Sequence, residues 1–172
     1  TASAAVSDVS AFDDASTDRI LSYLMLCPNG VQEYSRKLEG AVETSLNMGV
    51  VETKEECVRT VCLIRSSVET RKHQIKDQLE QCAKMAGGLG RIVAEYPAWQ
   101  YDPDSKLRKI MVDTYRAMYG KEPVVSTIHA GLECGLFLGK RPDLDCVSCG
   151  PNVLDVHSVN ERLEIASTLR TW

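Results

Sequence analysis

Residues 42–51 and 57–66 are two strand-like runs separated by one polar stretch, and they limit the fold more than any other feature. In the first run Leu46, Met48 and Val50 alternate with Asn47 and Gly49, the period of a half-buried strand. The second run is rich in β-branched residues, with Val61, Leu63 and Arg65 on one face. Residues 52–55 supply a polar turn, so the pair reads as an antiparallel hairpin.

Helical periodicity flanks the hairpin. Residues 18–26 place Ile20, Leu21 and Leu24 on one face and stop at Cys27-Pro28-Asn29-Gly30. Ile75, Leu79, Cys82 and Ala86 form a second apolar stripe, ended by Gly87-Gly88. Residues 89–96 then read as a third strand. The order α-β-β-α-β predicts an antiparallel, ferredoxin-like sheet with helices on one face, lacking an obvious first strand.

The pattern changes at residues 97–104, where two prolines and two aspartates suggest a hinge linker. Beyond it, Leu107, Ile110, Met111, Thr114 and Met118 form a helix that stops at Gly120. Residues 124–128 and 145–148 read as short strands, residues 131–138 as a short helix, and a helix is expected from Val159. This α-β-α-β-α alternation belongs to a parallel or mixed sheet. About 70 residues are too few to bury such a sheet well, so this part reads as the edge of a larger α/β layer.

The chain carries a formal charge of -4, which argues against a nucleic-acid or anionic-membrane partner. No apolar run is long enough to span a bilayer, and no signal peptide is evident, so a cytoplasmic protein is expected. The opening Thr1-Ala2-Ser3 has no methionine, which predicts a cut or processed start, and residues 1–12 are small and polar enough to be ragged. Seven cysteines without a secretory signal fit a reduced compartment. Cys146-Val147-Ser148-Cys149 has the C-x-x-C form, but a zinc site would need a second pair.

Three residues stand out as chemistry. His157 precedes Ser158-x-x-Glu161, a capping-box signature, and Leu163, Ala166, Leu169 and Trp172 follow at helical spacing. That places an imidazole at the mouth of a helix, as a metal ligand or as a loop histidine without a role. Gly131 lies at a strand-to-helix junction, where it allows close backbone approach, a positive φ, or simply a tight turn. Arg65 ends an apolar strand and either snorkels to the sheet edge or offers its fork to a carboxylate. Asn47 is less specific. His129 and Glu133 are spaced i, i+4, but Gly131 between them breaks the helical register.

Val42-Glu43-Thr44-Ser45-Leu46-Asn47-Met48-Gly49-Val50, Cys62-Leu63-Ile64-Arg65-Ser66, Tyr96-Pro97-Ala98-Trp99, Ile128-His129-Ala130-Gly131-Leu132-Glu133-Cys134-Gly135-Leu136-Phe137, Val147-Ser148-Cys149-Gly150-Pro151 and His157-Ser158 occur in this order. Together they resemble the C-terminal part of the aminoacyl-histidine dipeptidases, also called Xaa-His or cytosolic non-specific dipeptidases, of the M20 metallopeptidases. The resemblance implies an α/β catalytic domain with two metal ions, usually zinc, and an inserted lid. Residues 1–99 would be the second half of the lid, and residues 100–172 the returning catalytic segment. His157 would be the C-terminal metal ligand, Arg65 a lid arginine for the substrate carboxylate, and Gly131 a glycine whose backbone helps bind substrate. The other metal ligands and the general-base glutamate would lie on sequence not present here. The partners implied are a dipeptide, the N-terminal catalytic segment and a second copy in a homodimer. The family usually has proline and then Asp-Glu after His-Ser, where this chain has Val159-Asn160-Glu161. The alternatives are another M20 activity, such as a carboxypeptidase or deacylase, and a non-catalytic interaction module.

Overall fold

The structure is a computed structural model that describes residues 11–172; residues 1–10, most of the stretch expected to be ragged, lie outside it. The first element is α1 (Asp14–Leu26). It starts four residues earlier than the apolar stripe suggests, because the Asp13 carboxylate accepts the Ser16 amide at 2.8 Å and caps it.

Three strands follow, β1 (Gly30–Tyr34), β2 (Val42–Thr53) and β3 (Val58–Ser66), in an antiparallel meander of that order. The hairpin expected from the sequence is therefore present. Strand β1 was not legible, since Val31 and Tyr34 are both exposed and the strand is defined by its backbone pairing with β2. Asn29, in the preceding turn, accepts the Met48 amide through Oδ1 at 2.9 Å and ties that turn to β2.

A bulge at Gly49 corrects one expectation. Met48 pairs with Cys62 but Val50 pairs with Val61, so Gly49 is an extra residue that inverts the alternation. Leu46 and Met48 face the helices, whereas Val50 joins Val61 and Leu63 on the open face. Helix α2 (Glu69–Met85) packs on β2 and β3, and α1 packs against α2. Tyr23 of α1 also reaches β3, its hydroxyl 2.8 Å from Thr60 Oγ1. Leu46, 1% exposed, Ile75 and Cys27 are the buried apolar residues of this layer. All seven cysteines are free thiols.

The third strand expected at residues 89–96 does not form. The segment is irregular, with Leu89 84% and Val93 83% exposed. A strand needs a neighbouring edge to satisfy its backbone, and residues 89–96 pair with none among the described residues.

The second part keeps its helices and loses its expected sheet. Helix α3 (Lys106–Tyr119) is capped by Ser105, whose Oγ accepts the Arg108 amide at 3.0 Å, and it ends on left-handed Gly120. Asp145 closes over the same helix start, accepting from Ser105 Oγ at 2.6 Å and the Leu107 amide at 2.8 Å. These bonds hold the Asp145 carboxyl below its ordinary range. Helix α4 (Glu133–Lys140) matches the expected short helix with a shift of two residues. Residues 124–128 and 145–148 form no strand, and Val124 is 92% exposed. The helix expected from Val159 starts six residues later as α5 (Ile165–Thr171), after a two-residue ladder of β4 (Val153–Leu154) with β5 (Arg162–Leu163).

The chain exposes 13509 Å² for a mass of 19.0 kDa. A compact protein of that mass exposes about 8400 Å². Apolar side chains such as Leu89, Val93, Val124 and Val159, each more than four-fifths exposed, contribute to the difference.

Candidate site at the hairpin end

Arg65 lies at the end of β3 on the open face of the sheet, directly opposite Ser45 in the ladder. The loop before α4 crosses this end. Arg65 Nη1 donates to the His129 carbonyl at 2.8 Å, and His129 Nε2 sits 2.6 Å from Ser45 Oγ. Gly131, two residues on, packs beside the Tyr96 ring. Arg65, Tyr96, His129, Gly131 and Glu133 all line one open cleft of about 2360 Å³. Arg65 thus contacts the loop that carries Gly131, at a residue two positions before that glycine, although Arg65 and Gly131 are 66 positions apart in the chain.

Burial and the neighbouring Arg65 charge lower the pKa of His129, while a hydrogen bond with the Val42 backbone works the other way. The ring is therefore neutral at neutral pH, able to accept from the Ser45 hydroxyl. Sequence reasoning missed Ser45 and weighed His129 only against Glu133. The available signal was the parity of β2, which places Ser45 on the face of Arg65 once the hairpin register is known.

Gly131 is not in the left-handed region, and a Cβ there would meet the Tyr96 ring at 3.7 Å, an ordinary contact. Nor is it at a helix start, since Leu132 is the residue before α4. The glycine that the packing demands is Gly135, where a Cβ would fall 2.7 Å from the Pro97 carbonyl oxygen.

His157 does not join this cleft. It occupies a tight turn between β4 and β5 with φ 65°, beside Asp155 at φ 52°. The capping box is not realised as a helix start. The Glu161 carboxylate accepts the His157 amide at 2.7 Å, and Ser158 Oγ donates to the Asp155 carbonyl at 2.7 Å. Arg162 pairs with the Asp155 carboxylate. Two non-glycine residues in left-handed conformations are costly, about 1–3 kcal/mol each, and here polar bonds over-determine them. The turn presents an exposed imidazole on a fixed backbone.

One group of side chains among the described residues has metal-ligand spacing. The ligand atoms of Glu69, His73 and Glu95 lie within 4.8 Å of one another. The Lys72 ammonium already sits among them, 2.7 Å from Glu69 Oε1, 3.0 Å from Glu95 Oε1 and 2.7 Å from the Tyr96 carbonyl. It takes the position and supplies the charge that a cation would. His157 supplies one candidate ligand, and a metal centre needs three or four; the described residues bring no second ligand to it.

No protein-family model matches the chain. It is 38% identical to the cytosol non-specific dipeptidase of Escherichia coli (strain K12) over 165 residues, which is 96% of this chain and 34% of that protein. The crystal structure of the aminoacylhistidine dipeptidase from Vibrio alginolyticus superposes with a TM-score of 0.86 at 40% identity, covering 97% of this chain and 34% of that one. No helix is long and apolar enough to cross a membrane among the described residues. In sequence and in fold the chain is therefore similar to the cytosol non-specific and aminoacylhistidine dipeptidases, and it spans about a third of the length of each.

Proposed function

We propose that this chain is the C-terminal part of a cytoplasmic metallo-dipeptidase of the M20 type, which hydrolyses Xaa-His and other dipeptides. Residues 1–99 are the second half of its lid, and residues 100–172 its returning catalytic segment. The observation that carries this reading is the contact of Arg65 with the loop that leads to Gly131, its Nη1 donating to the His129 carbonyl at 2.8 Å. A guanidinium has five N–H donors in a planar fork. With one arm on the His129 carbonyl, Arg65 retains donors for the free carboxylate of a dipeptide.

The large exposed apolar area supports the incomplete-chain part of the reading, as do the unpaired segments 89–96 and 124–128. Such segments suit strands whose neighbours are supplied by other sequence. His157 would hold one of two zinc ions together with ligands from that sequence. Bound metal would lower the pKa of a shared water and polarise the scissile carbonyl. The residues of this chain do the positioning: Arg65 anchors the carboxylate, and lid closure excludes water. A homodimer is part of the same proposal.

The test is hydrolysis by the parent enzyme with added Zn²⁺ and a Xaa-His dipeptide. Metal-dependent cleavage that disappears with a chelator supports the reading. A parent enzyme that binds zinc yet cleaves acylated amino acids in place of dipeptides overturns it in favour of a deacylase.

A further inference from the structure

His129 holds two sides of one cross-strand pair. Its ring reaches Ser45 on β2, and its carbonyl accepts from Arg65 on β3; Ser45 and Arg65 are opposite one another in the ladder. The contact joins residues 84 apart on one side and 64 on the other. Arg65 is exposed, so little else limits the rotamers of its long side chain.

We infer that His129 is a positioning residue of the carboxylate subsite. Its ring pins the loop to β2, and the pinned carbonyl orients the Arg65 fork. The inference rests on the reading of Arg65 as the carboxylate anchor. It assigns the ring to a hydrogen bond with Ser45 and gives it no contact with substrate. The lowered pKa of the imidazole agrees with a neutral ring bonded to a hydroxyl.

The experiment uses the intact parent enzyme with two substrates, a Xaa-His dipeptide and the same dipeptide amidated at its C-terminus. His129→Ala is expected to raise KM for the free acid about three- to tenfold, the value of one neutral hydrogen bond. Its kcat stays nearly constant, because the lost interaction is uniform binding. KM for the amide does not move. Ser45→Ala gives the same selective change. His129→Gln, which keeps a polar atom near the Nε2 position, recovers most of it. Arg65→Ala combined with His129→Ala is no worse than Arg65→Ala alone. If Arg65→Ala raises KM selectively for the free acid and neither His129→Ala nor Ser45→Ala does, the positioning role is overturned while the anchor stands. If Arg65→Ala affects acid and amide alike, both fall. Should His129→Ala fail to fold, Ser45→Ala and His129→Gln give the same decision.

Discussion

Arg65 donates to the backbone carbonyl of His129 at 2.8 Å, so the end of strand β3 and the loop before α4 are joined by the residue proposed as the carboxylate anchor. The geometry leaves part of the guanidinium fork free. Arg65→Ala in the parent enzyme is expected to cost about 2–5 kcal/mol in kcat/KM for dipeptides, the usual loss for one charged anchor. Arg65→Lys keeps the charge but not the fork and should recover only a minor share. Steady-state kinetics on the two variants checks both statements.

The His129 contact weakens with acid. Its folded pKa is lowered, first by burial and then by Arg65, the charged group that bears on it. A base with a depressed pKa is protonated more readily when its site opens. The contribution is therefore present above the ordinary value of 6.5 and declines as pH falls below it. Titrating the His129 ring by NMR should give an apparent pKa below that of a model peptide, moving back towards it in Arg65→Ala. An unshifted titration would contradict the packing described.

The Lys72 cluster ties α2 to the segment ending in Tyr96. Burial opposes the charge on Lys72, but Glu69 and Glu95 raise its pKa overall. Burial likewise opposes the charge on Glu69, and hydrogen bonds from Lys72 and the Ala98 amide lower its pKa overall. Lys72 directly lowers that of Glu95. The carboxylates thus stabilise above their ordinary 4.5 and lose this as pH falls through their lower folded values. Lys72 contributes below its ordinary 10.5 and loses it as pH rises past its higher folded value. Lys72→Met should cost about 1–3 kcal/mol at neutral pH, mainly through the Tyr96 carbonyl left without a donor, and should flatten the acid limb of a denaturation curve.

Gly135→Ala places a methyl group 2.7 Å from the Pro97 oxygen, which is backbone and cannot swing aside. The expected cost is about 1–3 kcal/mol, typical of overpacking. Gly131→Ala, whose Cβ meets only the Tyr96 ring at ordinary distance, should be much milder in stability. Chemical denaturation of the two variants side by side gives the comparison.

At His157 stability and function are expected to part. With φ at 65°, His157→Gly should be more stable than His157→Ala by about 1 kcal/mol. Both variants should abolish metal-dependent activity in the parent enzyme. The 172-residue chain alone should hydrolyse no dipeptide. It should also bind zinc weakly, and tight stoichiometric binding that His157→Ala removes would contradict the one-ligand picture.

The hairpin, α2, α3 and α4 were legible because each is specified locally, by alternation, by an apolar stripe, or by a stop such as Gly87 and Gly120. The candidate residues Arg65, Gly131 and His157 were legible as residue types in family motifs, without their surroundings. What misled the reading has a common cause. Residues 89–96, 124–128 and 145–148 have strand-like sequence, but a strand exists only with a partner edge. Ser158 and Glu161 have capping-box spacing, yet their bonds close a turn around His157 because β5 follows at Arg162.

Local sequence by itself determined which segments can be helix or strand and which side chains share a face. Tertiary structure alone decided that Gly49 inverts the β2 alternation, that Lys72 fills the carboxylate cluster, and that His129 bridges Ser45 and Arg65. Most of those relations join segments distant in the chain, up to 84 positions for Ser45 and His129. No periodicity encodes them, because they follow from the register of the hairpin and from how the later loop packs against it.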